Sequence, residues 1–250
     1  MGVPATAAAF RAEGLVKRFG ARRALDGVGM EVAPGTALGL VGANGAGKTT
    51  FIKCALDLCA ADAGRVEIFG LDSRQAAARA RLAYLPERFV PPYYLLGREF
   101  LAMTLELAGA SFERTRADAL AAELELDPQA LDHPVRQLSK GMTQKLGLAA
   151  CFLLPRDLYV LDEPMSGLDP AGRVAVKSVL GRLNRGGAAL LFTSHVLSDV
   201  EELCPTLAVL ERGTLRFHGA PTELCRRYGV DNLELAFLKC IRTDAAALSA

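Results

Sequence analysis

The densest chemistry in the sequence lies in Gly42-Ala43-Asn44-Gly45-Ala46-Gly47-Lys48-Thr49-Thr50. Glycines at 42 and 47, followed by Lys48 and Thr49, give the spacing G-x-x-x-x-G-K-[ST]. A turn of this kind lets backbone N–H groups converge on phosphate oxygens with no side chain in the way. Lys48 supplies a mobile charge for the terminal phosphates, and a helix starting near Gly47 adds its positive end. Thr49 is placed to ligate magnesium and Thr50 to help hold the phosphates. The spacing therefore predicts a nucleoside triphosphate bound by Gly42, Asn44, Gly45, Ala46, Gly47, Lys48, Thr49 and Thr50.

A second cluster, Asp162-Glu163, follows the apolar run Leu158-Tyr159-Val160-Leu161. Ligands of such sheets bind beyond the carboxyl ends of the strands, which is also where a phosphate loop lies. Asp162 can hold magnesium there, generally through water, and Glu163 can orient or deprotonate an attacking water. His195 follows the run Ala188–Thr193 and faces the same edge as Glu163. Ser139, in Leu138-Ser139-Lys140-Gly141-Met142, has two readings: a helix N-cap, or part of a helix end that offers N–H groups to an anion.

These residues need elements to position them. Alternation from about Ala8 to Val32 predicts a short antiparallel meander. Ala37–Val41 reads as a buried strand entering the phosphate loop, and Thr49–Leu58 as the helix leaving it. Arg65–Ile68 and Leu82–Leu85 read as further strands, the second stopped by Pro86. From about Glu87 the apolar spacing changes to three and four, which predicts helices over Gly97–Leu107, Phe112–Leu126 and Met142–Leu154. Strands return at Leu158–Leu161, Ala188–Thr193, Ala208–Glu211 and Leu215–His218, with helices at Pro170–Asn184 and Leu197–Cys204 and a short one over Asn232–Arg242. The expected class is α/β, a mixed-sheet core with an antiparallel meander and a helical insertion. One domain is expected over 8–242, with core segments at about 8–86 and 156–220, a helical subdomain at about 87–155 and a helical tail at 221–250.

Composition narrows the class. A chain of 250 residues, 51% hydrophobic, can bury a sizeable core. Twenty-nine basic residues against 28 acidic ones give a net charge of +1, and no long Lys/Arg run suggests a nucleic-acid partner. Arg22-Arg23 and Arg226-Arg227 read as solvated pairs. The six cysteines include no C-x-x-C pair and no Cys/His cluster, so buried thiols in a reducing compartment are expected. Met1 to Phe10 lacks the pattern of a secretory signal, and no stretch approaches the ~20 apolar residues of a membrane span. The expectation is a cytoplasmic protein, soluble or peripheral.

Taken in order, these motifs resemble the ATP-binding subunit of an ABC transporter, a P-loop NTPase. Gly42–Thr50 resembles the Walker A loop, Leu138–Met142 the signature, Leu158–Glu163 the Walker B strand and Ser166-Gly167-Leu168-Asp169 the D-loop. Thr193-Ser194-His195 resembles the switch-histidine segment, and Tyr84-Leu85-Pro86-Glu87 the segment that usually ends in glutamine. The resemblance spans about residues 10 to 240. It implies ATP and Mg2+ as cofactors, Phe19 stacked on adenine, Glu163 and His195 as catalytic residues, and Thr49, Glu87 and Asp162 around the metal. His195 is implied to meet the γ-phosphate. It also implies a head-to-tail pair with a second copy or a paralogue, in which Ser139 and Gly141 complete the partner's site and Asp169 communicates across the interface. An integral membrane permease is the implied partner, with this subunit peripheral on the cytoplasmic face.

Three positions depart from the commonest pattern. Lys140 and Met142 replace a glycine and a glutamine, and Glu87 replaces a glutamine. Methionine loses the amide's hydrogen bond, and Glu87 cannot donate one and adds negative charge. The combination resembles the exporter branch of the family. Arg88-Phe89-Val90-Pro91-Pro92-Tyr93-Tyr94 lies where that family docks the permease; a proline-stiffened loop packed on its own domain is the alternative. Two other functions stay open on the sequence: a soluble ABC-type ATPase, and a nucleotide sensor that does not hydrolyse.

Overall fold

A computed structural model of the chain describes residues 7–242. Residues 1–6, within the stretch read for a signal, and 243–250, the end of the expected tail, lie outside it. Strands β1 (Phe10–Phe19) and β2 (Arg22–Val32) form an antiparallel hairpin whose tip sets Phe19 opposite Arg22. Next come β3 (Ala37–Val41), buried at every position, and α1 (Lys48–Ala55). β4 (Ala63–Ile68) and β5 (Leu71–Asp72) complete a four-stranded sheet in the order β2-β1-β4-β5. One helical turn, α2 (Ala76–Arg79), leads to β6 (Leu82–Leu85).

The chain then turns helical: α3 (Gly97–Leu107), α4 (Arg114–Glu123), 3-10 turns at Pro128–Asp132 and Val135–Gln137, and α5 (Lys140–Phe152). Strands resume with β7 (Leu158–Leu161), followed by α6 (Pro170–Arg185), β8 (Ala189–Ser194) and α7 (Leu197–Leu203). The described residues end with β9 (Thr206–Glu211), β10 (Thr214–Gly219), α8 (Pro221–Tyr228) and α9 (Leu233–Arg242).

A six-stranded sheet in the order β10-β9-β3-β8-β7-β6 carries the architecture. All its neighbours pair in parallel except β9 with β10. β7 and β8, like β3, are buried at every position, as strands covered on both faces must be. Alternate residues feed two apolar clusters. Ala37 and Val41 of β3 face α3 to α7, while Leu38 and Leu40 face α1 and the β1–β2 hairpin. Register aligns the carboxyl ends: Val41 lies beside Ser194, Phe192 beside Leu161, and Leu161 beside Leu85. The loops that follow β3, β8, β7 and β6 therefore leave the sheet along one edge.

The boundaries differ from the sequence reading where helices stop without glycine. α1 ends at Ala55, and α4 covers 114–123 rather than 112–126. In each case an acidic residue adopts the left-handed conformation, Asp57 at φ 58° and Glu125 at φ 56°. The next N–H reaches back to close the helix, Leu58 to Lys53 O at 2.8 Å and Leu126 to Ala121 O at 2.9 Å. α5 starts two residues earlier than expected because Ser139 caps it, accepting from the Met142 N–H at 3.2 Å. α2 and the two-residue β5 are additions to the sequence reading, and α8 falls in the expected helical tail. The six cysteines carry thiols rather than disulfides, and four of them are buried. Burial pushes Cys54 up to about 11 and Cys151 up to about 12, and raises Cys204 as well. Among the described residues, no helix is long and apolar enough to cross a membrane.

Candidate active site

The loop after β3 is set by close backbone packing. A Cβ at Gly42 would lie 2.3 Å from the Leu210 carbonyl oxygen, and one at Gly47 2.8 Å from that of Ala24. Gly47 has φ 113° and caps α1 with no side chain, which leaves the first N–H groups of α1 uncovered. Lys48 is buried and folds back along the loop. Its Nζ donates to the carbonyl oxygens of Gly42 at 2.8 Å and Ala43 at 3.4 Å.

A cleft of about 380 Å³ opens over this loop. Phe19, Asn44, Gly45, Ala46, Gly47, Lys48, Thr49, Thr50, Glu87, Asp162 and Glu163 line it, so most of the residues singled out in the sequence meet there. Gly42 borders the neighbouring cavity with Asn44 and His195, and enters the site through its bond from Lys48. Phe19 is 54% exposed at the hairpin tip, with Lys17 Nζ 5.3 Å from its ring centre. That leaves a face of the ring open to a flat ligand.

The two acids differ sharply. Asp162 is fully buried. Its Oδ1 accepts from Thr193 Oγ1 at 2.6 Å, while Oδ2 is buried without a hydrogen-bond partner. A buried carboxylate oxygen in that position costs free energy until something binds it. Asp162, Thr49 and Glu87 line the same cleft and together offer a hard, all-oxygen donor set, which fits magnesium. The Tyr84 hydroxyl on β6 is likewise buried without a partner; burial first, then the charge of Asp162, pushes it up to about 12. It remains a proton donor near neutral pH.

Glu163 sits at φ 51°, a left-handed conformation that a side chain adopts only when its surroundings hold it. Its N–H donates to Thr193 Oγ1 at 2.8 Å. Gln144 of α5 donates to the carbonyl oxygens of Glu163 at 3.5 Å and Pro164 at 3.1 Å. The carboxylate Oε2 lies 2.7 Å from His195 Nδ1 and accepts from the His195 N–H at 3.4 Å. His195 is thus brought to Glu163 without lining the main cleft.

Ser139 and Gly141 stand apart. Neither lines the cleft; Ser139 caps α5, and a Cβ on Gly141 would lie 3.2 Å from the Gly167 carbonyl oxygen. Asp169 caps α6, accepting from the Gly172 N–H at 3.0 Å. Sequence reasoning missed four participants. Arg22, read as solvated surface, lines the cleft mouth, with NH2 3.4 Å from the Gly45 carbonyl oxygen. The signal was available in its place, three residues after Phe19 across a tight hairpin. Thr193 and Tyr84 act through bonds or charge that only the sheet register brings together, and Gln144 through the packing of α5 against the loop after β7.

The ABC transporter family profile matches residues 25–166. Daunorubicin resistance ATP-binding protein DrrA3 of Streptomyces coeruleorubidus is 36% identical over 242 residues, 95% of this chain and 76% of that protein. Nod factor export ATP-binding protein I of Paraburkholderia xenovorans is 34% identical over 91% of this chain and 76% of its own length. A solved structure of an ATP-binding subunit of an ABC transporter superimposes with a TM-score of 0.86 at 29% identity, covering 92% of this chain and 98% of that one. The chain belongs to the ABC transporter family, as one of its ATP-binding, ATP-hydrolysing subunits with a P-loop NTPase fold.

Proposed function

We propose that this subunit binds MgATP between Walker A of one copy and the signature of another, and that its hydrolysis drives export through a separate membrane permease. In this reading a core of about 8–86 and 156–220 holds the nucleotide, and a helical subdomain of about 87–155 transmits its state. The observation that carries it is the meeting of Lys48, Asp162 and Glu163 in one cleft at the carboxyl edge of a parallel sheet.

The residues divide the work. Phe19 offers a ring to adenine; the loop N–H groups from Asn44 to Thr50 and the Lys48 ammonium take the phosphates. Thr49, Asp162 and Glu87 would hold magnesium, which when bound offsets phosphate charge and orients the terminal group. Glu163 orients the attacking water and accepts its proton. His195 steadies that carboxylate through Nδ1 and leaves the other ring nitrogen for the γ-phosphate.

Pairing is supported by Ser139 and Gly141. They lie outside their own cleft, so they can serve a nucleotide only if another copy holds it. Export is supported by relatives named for drug resistance and Nod factor export. A permease partner puts the subunit at a membrane's cytoplasmic face, where ATP is found. Glu163→Gln tests the reading, because it keeps shape and hydrogen bonding and loses basicity. Hydrolysis is expected to fall by about 10² or more with ATP binding retained, and ATP should then trap a dimer visible by size exclusion. Wild-type turnover in this variant would assign the attacking water to another residue.

A further inference from the structure

β8 is apolar through Leu190, Leu191 and Phe192, and then sets a hydroxyl, Thr193, in a fully buried position. Burying a hydroxyl among apolar neighbours is unfavourable unless it is fully bonded. Thr193 makes both of its bonds to the paired acids of β7's end. Oγ1 donates to Asp162 Oδ1 at 2.6 Å and accepts from the Glu163 N–H at 2.8 Å. The direction of each is fixed by chemistry: an ionised carboxylate only accepts, and an amide N–H only donates.

We propose that Thr193 is a positioning residue that keys Asp162 and Glu163 at once. A carboxylate rotates broadly about its last torsion, so an untethered Asp162 exchanges its two oxygens. The bond to Oδ1 stops that exchange and leaves Oδ2 as the unpartnered oxygen of a residue that lines the cleft. The bond from Glu163 anchors the backbone where it adopts φ 51°, and so sets where the Glu163 side chain departs. A β-branched residue suits the task, because Thr193 has few side-chain rotamers to lose. The inference rests on Asp162 and Glu163 serving metal binding and hydrolysis as read above.

The test compares Thr193→Val, which keeps shape and loses both bonds, with Thr193→Ser, which keeps the hydroxyl. Two quantities are read: kcat and KM for ATP hydrolysis, and Mn2+ affinity in the presence of ADP, from the electron paramagnetic resonance signal of free Mn2+. Thr193→Val is expected to lower kcat by about 10–100-fold and weaken Mn2+ about tenfold, the range for removing a support behind a metal-binding carboxylate. KM for ATP and affinity for metal-free ADP should stay within about threefold, and Thr193→Ser should restore both losses. If Thr193→Val does not fold, Thr193→Ala removes the same bonds with less bulk and decides in its place. Retention of wild-type kcat and Mn2+ affinity in the hydroxyl-free variant overturns the proposal, as does a serine variant no better than valine. If the wild-type chain itself fails to turn over ATP, the hydrolysis reading falls, and the Mn2+ measurement still decides on Thr193.

Discussion

The carboxyl edge of the six-stranded sheet and the loop leading into the helical region are built on opposite principles. At the sheet edge charged side chains are buried: Asp162 is fully covered, and Lys48 and Glu163 are each only 8% exposed. Each is held by backbone or by another polar group. In the loop before α3, apolar side chains stand in solvent, with Val90 75%, Tyr93 67% and Tyr94 64% exposed. The two tyrosine rings stack edge to face at 5.6 Å on each other. Buried charge is costly and persists where chemistry uses it, whereas clustered exposed apolar surface suits a partner that covers it. One region spends buried charge on a ligand, and the other leaves apolar surface open to solvent.

That contrast can be broken by mutation. The largest effect is expected from Lys48→Ala, which removes the mobile cation from the phosphates and should abolish ATP binding or weaken it severely. Titration with a fluorescent ATP analogue checks this, and unchanged affinity would take the phosphate loop out of the site. The double change Tyr93→Ala, Tyr94→Ala should do the reverse: membrane association weakens and transport uncouples, while ATP binding by the isolated subunit is spared. Membrane flotation with the permease, paired with nucleotide titration, reads both; flotation equal to wild type would move the docking surface elsewhere. The smallest effect sharpens the boundary between the regions. Arg98 joins α3 to Asp118 and Asp132, each at 2.8 Å. Arg98→Ala should lower Tm by about 2–4 °C, as loss of a partly buried bonded pair does in a domain of this size. Nucleotide affinity should not change, and a tenfold loss would show that the helical region shapes the cleft directly.

Much of the site was legible because its signals are local. Phosphate loops need glycine where a side chain would strike neighbouring backbone, and at Gly42 a Cβ would lie 2.3 Å from the Leu210 carbonyl oxygen. The apolar run before Asp162 announced a buried strand, and pairing through β8 brings Asp162 to the cleft that the phosphate loop lines. What escaped was non-local or lacked the usual residue type. Thr193 looks like any strand threonine until β8 pairs with β7 and its hydroxyl meets two acids 30 and 31 residues away. Gln144 lies inside a helix whose periodicity marks it only as one of the buried positions. Asp57 and Glu125 end helices in a conformation that glycine usually signals, so the stops were placed too far along. Arg22 reads by composition as solvated surface, whereas the hairpin tip decides where it goes.

The covered thiols give the protein a practical property. Alkylating reagents attack the thiolate, and burial keeps Cys54, Cys151 and Cys204 protonated well above neutral pH. A cysteine placed at exposed Tyr94 should outrun these three and the buried Cys240 in labelling, leaving the half-buried Cys59 and Cys225 as the native competitors to replace. Two substitutions would therefore give a nearly silent background for a spin label or fluorophore. A probe on the tyrosine loop and another at the Phe19 hairpin would then report, as a distance, whether the helical face moves when nucleotide binds.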